Sequence, residues 1–142
     1  MSKLIRDLSF VSRCGARYRS RELEPLGLRA RQSLSLIAVC ENPGISQDAL
    51  ARRVALDKSN ITRQLSILEE SGLVERRSCQ NDKRIIQLFP TDAAIALLPK
   101  IRSAAQAWEQ YITEDFSPDE LLLMEKLVGR MKEKAQQWME VD

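Results

Sequence analysis

The chain has 142 residues, of which 44% are hydrophobic and 30% charged, and its net charge is +2. Such a profile suits one domain, or one compact unit with appended elements, and excludes a disordered or fibrous chain. There is no histidine, and the three cysteines, Cys14, Cys40 and Cys79, are widely spaced. The commonest general base, the commonest zinc ligand and any disulfide framework are therefore missing.

No apolar run approaches the ~18 residues of a membrane span, and Met1-Ser2-Lys3-Leu4-Ile5-Arg6-Asp7 lacks the apolar core of a signal segment. A cytoplasmic protein with no membrane partner is expected. No nucleophile–base pattern, phosphate loop or metal cluster stands out, so neither an enzyme such as a small hydrolase nor a cofactor is expected. The small net charge hides an asymmetry. Residues 1–90 hold 16 Lys and Arg against 10 Asp and Glu, and residues 91–142 hold 6 against 10. The first segment is thus at +6 and the second at −4, which points to a polyanionic partner for the first.

In chain order, residues 3 to about 22 suit a helix, with Leu4, Leu8, Val11, Cys14 and Tyr18 on one face. Pro25 and Gly27 interrupt it. Residues 29–41 read as a second helix carrying Leu34, Ile37 and Ala38, and Asn42-Pro43-Gly44 as a turn. A short helix follows to Arg53, capped by Ser46, with Asp48 suiting its dipole. Asp57 caps the next helix, which should run to about Ser71 and stop at Gly72. Residues 73–79 and 85–89 are strand-like, and Gln80-Asn81-Asp82-Lys83 between them supplies turn chemistry for a β-hairpin. Thr91 caps a long helix through about Ile112, which Pro99 should kink or split. Ser117-Pro118-Asp119-Glu120 combines a capping box with proline at the first helical position. After it, Leu121, Met124, Val128, Met131, Ala135 and Trp138 recur in a coiled-coil-like seam.

Two helices joined by a tight turn and followed by a hairpin form a winged helix-turn-helix pattern. In the second helix Ile61, Leu65 and Leu68 make the packing stripe. Ser59 and Arg63 lie roughly opposite, with Asn60, Thr62 and Gln64 on the flanks. A helix entering the major groove needs small side chains for close approach and Asn, Gln and Arg for base edges. Lys58, the helix amino end and the Ser46-Gln47 start of the preceding helix suit phosphate. Arg76, Arg77, Lys83 and Arg84 concentrate cations on the hairpin, where a wing meets the backbone or minor groove. Asp82 would repel phosphate, so its expected task is to hold Arg84 or Arg76 in place.

The chain resembles the multiple-antibiotic-resistance regulator (MarR) family of bacterial winged-helix transcription factors. The resemblance rests on "GLRARQ" (27–32), "PGISQDALARRVALDKSNITRQLSILEESGLVERR" (43–77) and "NDKR" (81–84), followed by two C-terminal helices. The family's Asp-x-Arg wing signature matches Asp82 and Arg84, and its recognition-helix pattern matches Lys58 to Arg63. Ala94 departs from it, standing where the family often has glycine.

The resemblance implies a mainly α fold in three parts. These are an N-terminal dimerisation helix and linker (1–28), a winged helix-turn-helix domain with a small antiparallel hairpin (29–90) and C-terminal dimerisation helices (91–142). It implies an obligate homodimer on a pseudo-palindromic double-stranded operator, acting as a repressor released by a small anionic or aromatic effector. The expected DNA-binding set is Ser46, Gln47, Lys58, Ser59, Asn60, Thr62, Arg63, Gln64, Arg76, Lys83 and Arg84. The expected dimer set is Leu4, Leu8, Val11, Trp108, Leu121, Met124, Val128 and Met131. The seam needs an apolar partner, which the first helix or the helix of Trp108 can supply from the same chain or its mate. Other family members sense oxidants through cysteine, and Cys14, with Arg13 and Arg17 near to favour the thiolate, is the candidate here. A winged-helix module that binds protein rather than DNA is the alternative from another class.

Overall fold

The computed structural model describes residues 1–141, which form two compact units, Met1–Trp108 and the residues from Glu109 onward. The first unit opens with α1 (Lys3–Leu23), whose start is capped by the Ser2 hydroxyl accepting from the Ile5 N–H. A 3-10 turn (Glu24–Leu26) follows, and then α2 (Ala30–Glu41). The Ala30 N–H, otherwise an orphan donor at a helix start, donates to Ser20 Oγ at 2.9 Å and so ties α2 to α1.

The helix-turn-helix pair is α3 (Gln47–Arg53) and α4 (Lys58–Glu70). Ser46 and Asp57 cap them as expected, accepting from the Ala49 and Asn60 N–H groups. Both helices end in the same way. After α4, the Gly72 N–H donates to Glu69 O and the Leu73 N–H to Leu68 O, with Gly72 at φ 73°. After α3, Ala55 donates to Arg52 O and Leu56 to Ala51 O. Here an alanine occupies the left-handed position, at φ 54°. A Cβ in that region costs about 1 kcal/mol relative to glycine. This strained residue sets the turn that aims α4.

The hairpin strands are β2 (Val74–Ser78) and β3 (Ile86–Pro90), paired antiparallel from Val74↔Pro90 to Ser78↔Ile86. One strand was not expected from the sequence. Ile45 and Ser46 form a short β1 that pairs with Leu88 and Gln87, giving a sheet of order β1-β3-β2. The core joins Leu36 and Val39 of α2, Leu50 of α3, Ile61, Leu65 and Leu68 of α4, and Val74 and Leu88 of the sheet, each at most 2% exposed. Burying a side chain of this size is worth about 1.5–3 kcal/mol, so α4 is fixed to its domain by its apolar stripe and leaves its other face open.

From Asp92 to Ile112, α5 is one uninterrupted helix, entered through the Thr91 hydroxyl, which accepts from the Ala94 N–H. Pro99 lies inside it without splitting it, contrary to one form of the expectation. Proline removes a single i→i−4 bond, and the flanking turns carry the helix across. Ala94 is fully buried, so a methyl group fits where the resemblance anticipates glycine. In the second unit, α6 (Pro118–Val141) starts from a reciprocal capping box. The Ser117 N–H donates to Glu120 Oε1 at 3.1 Å and the Glu120 N–H to Ser117 Oγ at 3.2 Å. No helix among the described residues is long and apolar enough to cross a membrane.

Candidate nucleic-acid interface

The amino-terminal two turns of α4 carry a connected set of polar groups. Lys58, Ser59, Thr62 and Arg63 are exposed and Asn60 is half-buried. One Asp57 carboxylate oxygen accepts from the Asn60 backbone N–H at 2.8 Å and from Ser59 Oγ at 3.1 Å, and the other accepts from Asn60 Nδ2 at 2.8 Å. Asn60 Oδ1 in turn accepts from the Arg63 guanidinium at 2.7 Å. The Asn60 backbone bond, more than any other contact, holds the Asp57 carboxyl below its ordinary range.

Thr62 is tied on two sides. Its hydroxyl donates to Lys58 O at 2.8 Å and accepts from Gln47 Nε2 at 2.9 Å. Gln47 therefore joins the start of α3 to the exposed edge of α4, and both Ser46 and Gln47 are half-buried. Ser46 is occupied as the α3 cap.

Two residues expected on this surface are engaged elsewhere. Gln64 is buried, 8% exposed, and its Oε1 accepts from the buried Ser35 Oγ at 2.8 Å. It faces α2 and presents nothing to a groove. Its spacing carried the signal: Gln64 stands three residues after Ile61 and four before Leu68, on the packing stripe. Arg76 is a strap rather than a free cation. From β2 it donates to Thr62 O at 3.3 Å and Ser66 Oγ at 3.0 Å and lies 3.8 Å from the Glu69 carboxylate. It thereby holds the hairpin to α4.

At the hairpin tip, Arg84 makes three bonds to one carboxylate. Its backbone N–H and Nε donate to Asp82 Oδ1 at 3.0 and 3.1 Å, and Nη2 donates to Oδ2 at 3.0 Å. Of the two arginines considered for Asp82, Arg84 is the one held. The Arg84 side-chain bond, followed by its backbone bond, lowers the Asp82 carboxyl, and the Arg84 guanidinium is raised reciprocally. The pair fixes the direction of Arg84 while its side chain stays 91% exposed. Lys83 beside it is exposed, whereas Arg77 pairs with Glu75 at 2.6 Å and lies over the Phe89 ring at 4.4 Å.

The expected dimer residues lie as follows. Leu4, Leu8 and Val11 of α1 are exposed, and so are Val128 and Met131 of α6, whereas Leu121 and Met124 are half-buried. The seam reading missed Leu123 and Leu127, which are exposed on α6 beside Val128 and Met131. Trp108 is half-buried and packs on α1 of its own chain. Its ring lies 5.5 Å from that of Tyr18, and a Cβ on Gly15 would sit 2.7 Å from its Nε1. Cys14, Cys40 and Cys79 are free and half-buried, and burial raises the Cys40 thiol.

Comparison with known proteins agrees with this geometry. The MarR family profile matches residues 30–86. A crystal structure of MarR is 34% identical, with a TM-score of 0.85, over 96% of this chain and 99% of that one. The HTH-type transcriptional regulator YybA of Bacillus subtilis strain 168 is 25% identical over 96% of this chain and 91% of its own length. A Listeria monocytogenes MarR family transcriptional regulator, crystallised with a 26mer DNA, is 26% identical with a TM-score of 0.92, over 99% of this chain and 95% of that one.

Proposed function

The chain belongs to the MarR family of transcriptional regulators, and we propose that it works as a homodimeric repressor on a pseudo-palindromic operator. The observation that carries this reading is the pairing of two aimed arginines. Arg63 sits on the exposed edge of a helix whose opposite face is locked into the core. Arg84 sits at a hairpin tip, held by Asp82. A guanidinium presented from a helix suits guanine O6 and N7 in the major groove, and one on a wing suits the backbone or the minor groove. Lys58, Ser59 and Lys83 supply exposed phosphate contacts around them.

Exposed leucines, valines and methionines support the homodimer. Leu4, Leu8 and Val11 in α1, and Leu123, Leu127, Val128 and Met131 in α6, face solvent in one chain. Apolar stripes of this length are costly to leave wet and suit a self-complementary interface. A two-fold axis would set the two α4 helices about 34–36 Å apart, one turn of DNA.

Release by a small effector finds support in a cleft of about 530 Å³ between α1 and α5, lined among others by Tyr18, Glu22, Leu23, Leu26, Lys100 and Ala104. Its volume is within the range of small-molecule sites. An aromatic ring suits its apolar walls, and the Glu22 carboxylate and Lys100 ammonium on its lining would meet the polar groups of such a ligand.

The test is binding to sequences selected from a random duplex pool, measured by anisotropy at several salt concentrations. Arg63→Ala should cost about 1–3 kcal/mol on the selected sequence and little on random DNA. Equal loss on both would contradict its assignment to a base edge.

A further inference from the structure

We infer that Asp57 and Asn60 are positioning residues that preset Arg63 for base reading, with Asn60 turning the guanidinium rather than touching a base itself. The inference rests on the reading of α4 as the DNA-reading helix.

Residues 57, 60 and 63 are each three apart, so their side chains follow one edge of the helix. The polarity of the chain of bonds is fixed at its start. An ionised carboxylate only accepts, so the group that Asn60 turns to Asp57 Oδ2 at 2.8 Å is its Nδ2 donor. This leaves Asn60 Oδ1 facing the other way, where it accepts from Arg63 at 2.7 Å. The carboxylate is thus read out two turns along as an acceptor aimed at the guanidinium. Asn60 thus spends one of its two N–H donors on Asp57 and one of its two Oδ1 lone pairs on Arg63, which fixes its amide plane along the helix edge. Arg63 has five N–H donors and gives one to Asn60, which leaves a fork for a base. An unheld arginine loses rotamer freedom on docking, and prior ordering removes part of that loss.

The discriminating substitution is Asp57→Asn. It keeps the cap, because Asn and Asp are equivalent at that position. It also reverses the polarity. The new carboxamide accepts the Asn60 backbone N–H through its oxygen and turns its amide nitrogen to the Asn60 side chain. Asn60 then rotates its own nitrogen toward Arg63, donor against donor. The substitution removes a negative charge near phosphate as well, so a purely electrostatic role predicts tighter binding to every duplex.

Affinities for a selected duplex and for random DNA are measured on four proteins: wild type, Asp57→Asn, Arg63→Ala and the double variant. Circular dichroism verifies that helix content and melting are preserved. We expect Asp57→Asn to lower the specific-to-random ratio by about 2- to 10-fold, the scale of one immobilised long side chain, while random binding is not weakened. In the Arg63→Ala background the same substitution should leave the ratio unchanged. A drop in ratio that persists in that background, or an unchanged ratio in the wild-type background, overturns the positioning role and leaves the DNA-reading assignment standing. A wild type with no preference among duplexes overturns the proposed function and this inference with it.

Discussion

The reassignment of Gln64 from groove to core makes a quantitative prediction. Ser35 is fully buried and Gln64 nearly so, and they are joined by one 2.8 Å bond between α2 and α4. Ser35→Ala removes the donor and leaves Gln64 Oε1 without a partner in the interior. An orphaned buried polar group costs about 1–3 kcal/mol, or a fall in melting temperature of about 4 °C per kcal/mol for a chain of this size. Gln64→Leu leaves the Ser35 hydroxyl orphaned and should cost a similar amount, because the leucine fills most of the vacated volume. The double variant replaces both partners with apolar groups. It should lie well above the sum of the single losses, a coupling on the order of 1 kcal/mol or more. The assay is thermal and urea denaturation of all four proteins at one fixed concentration, since assembly shifts apparent stability. Selected-DNA affinity is measured in parallel below the melting range. Additive losses, or a Gln64→Leu protein of unchanged stability that binds selected DNA less tightly, would refute the placement of Gln64 in the core.

Four other outcomes follow from the geometry. Ala55→Gly should raise stability by up to about 1 kcal/mol, because it relieves a Cβ at φ 54°; urea denaturation checks this, and destabilisation would show that the turn carries no strain. Gly15→Ala should lower stability by about 1–3 kcal/mol, since the new Cβ meets the Trp108 indole nitrogen at 2.7 Å; emission from Trp108 in a Trp138→Phe background reports the displaced ring. Arg84→Ala should weaken binding to all duplexes and reduce the salt slope by about one, whereas a loss confined to selected sequences would assign the wing to base reading. The Glu120 carboxyl is held below its ordinary value by the Ser117 backbone N–H bond first. A depressed carboxyl stabilises the fold above its unfolded value, near 4.3, and that stability is lost as pH falls through the lower folded value. The stability gap between wild type and Glu120→Gln should therefore be present at neutral pH and close in acid.

Much of the helical architecture is legible in the sequence because its signals are local. Ser46, Asp57, Thr91 and Ser117 each cap a helix through a bond to a residue three positions on. Gly72 ends α4 at the expected place for the same reason. The features that escaped are made by distant parts of the chain. Ile45 and Ser46 are too short a stretch to declare a strand, and become one only beside Leu88 and Gln87. Arg76 looks like one more wing cation until Thr62 O and Ser66 Oγ are brought beneath it. Gln64 was misplaced by its polarity, although its position on the Ile61–Leu68 stripe pointed inward. In α6 the heptad spacing marks Val128 and Met131, but which leucines stay wet beside them depends on the packing of the folded chain.

Half-site spacing tests the central claim most directly, that two copies present matched α4 helices to one duplex. A selected duplex is lengthened by five base pairs between its half-sites, and by ten, with affinity and bound stoichiometry read for each. A rigid two-fold pair should bind as two chains per duplex, fail when five pairs turn one half-site to the far side, and regain part of its affinity at ten, where the faces realign. Unchanged affinity at five, or one chain per duplex bound through a single half-site, would contradict it.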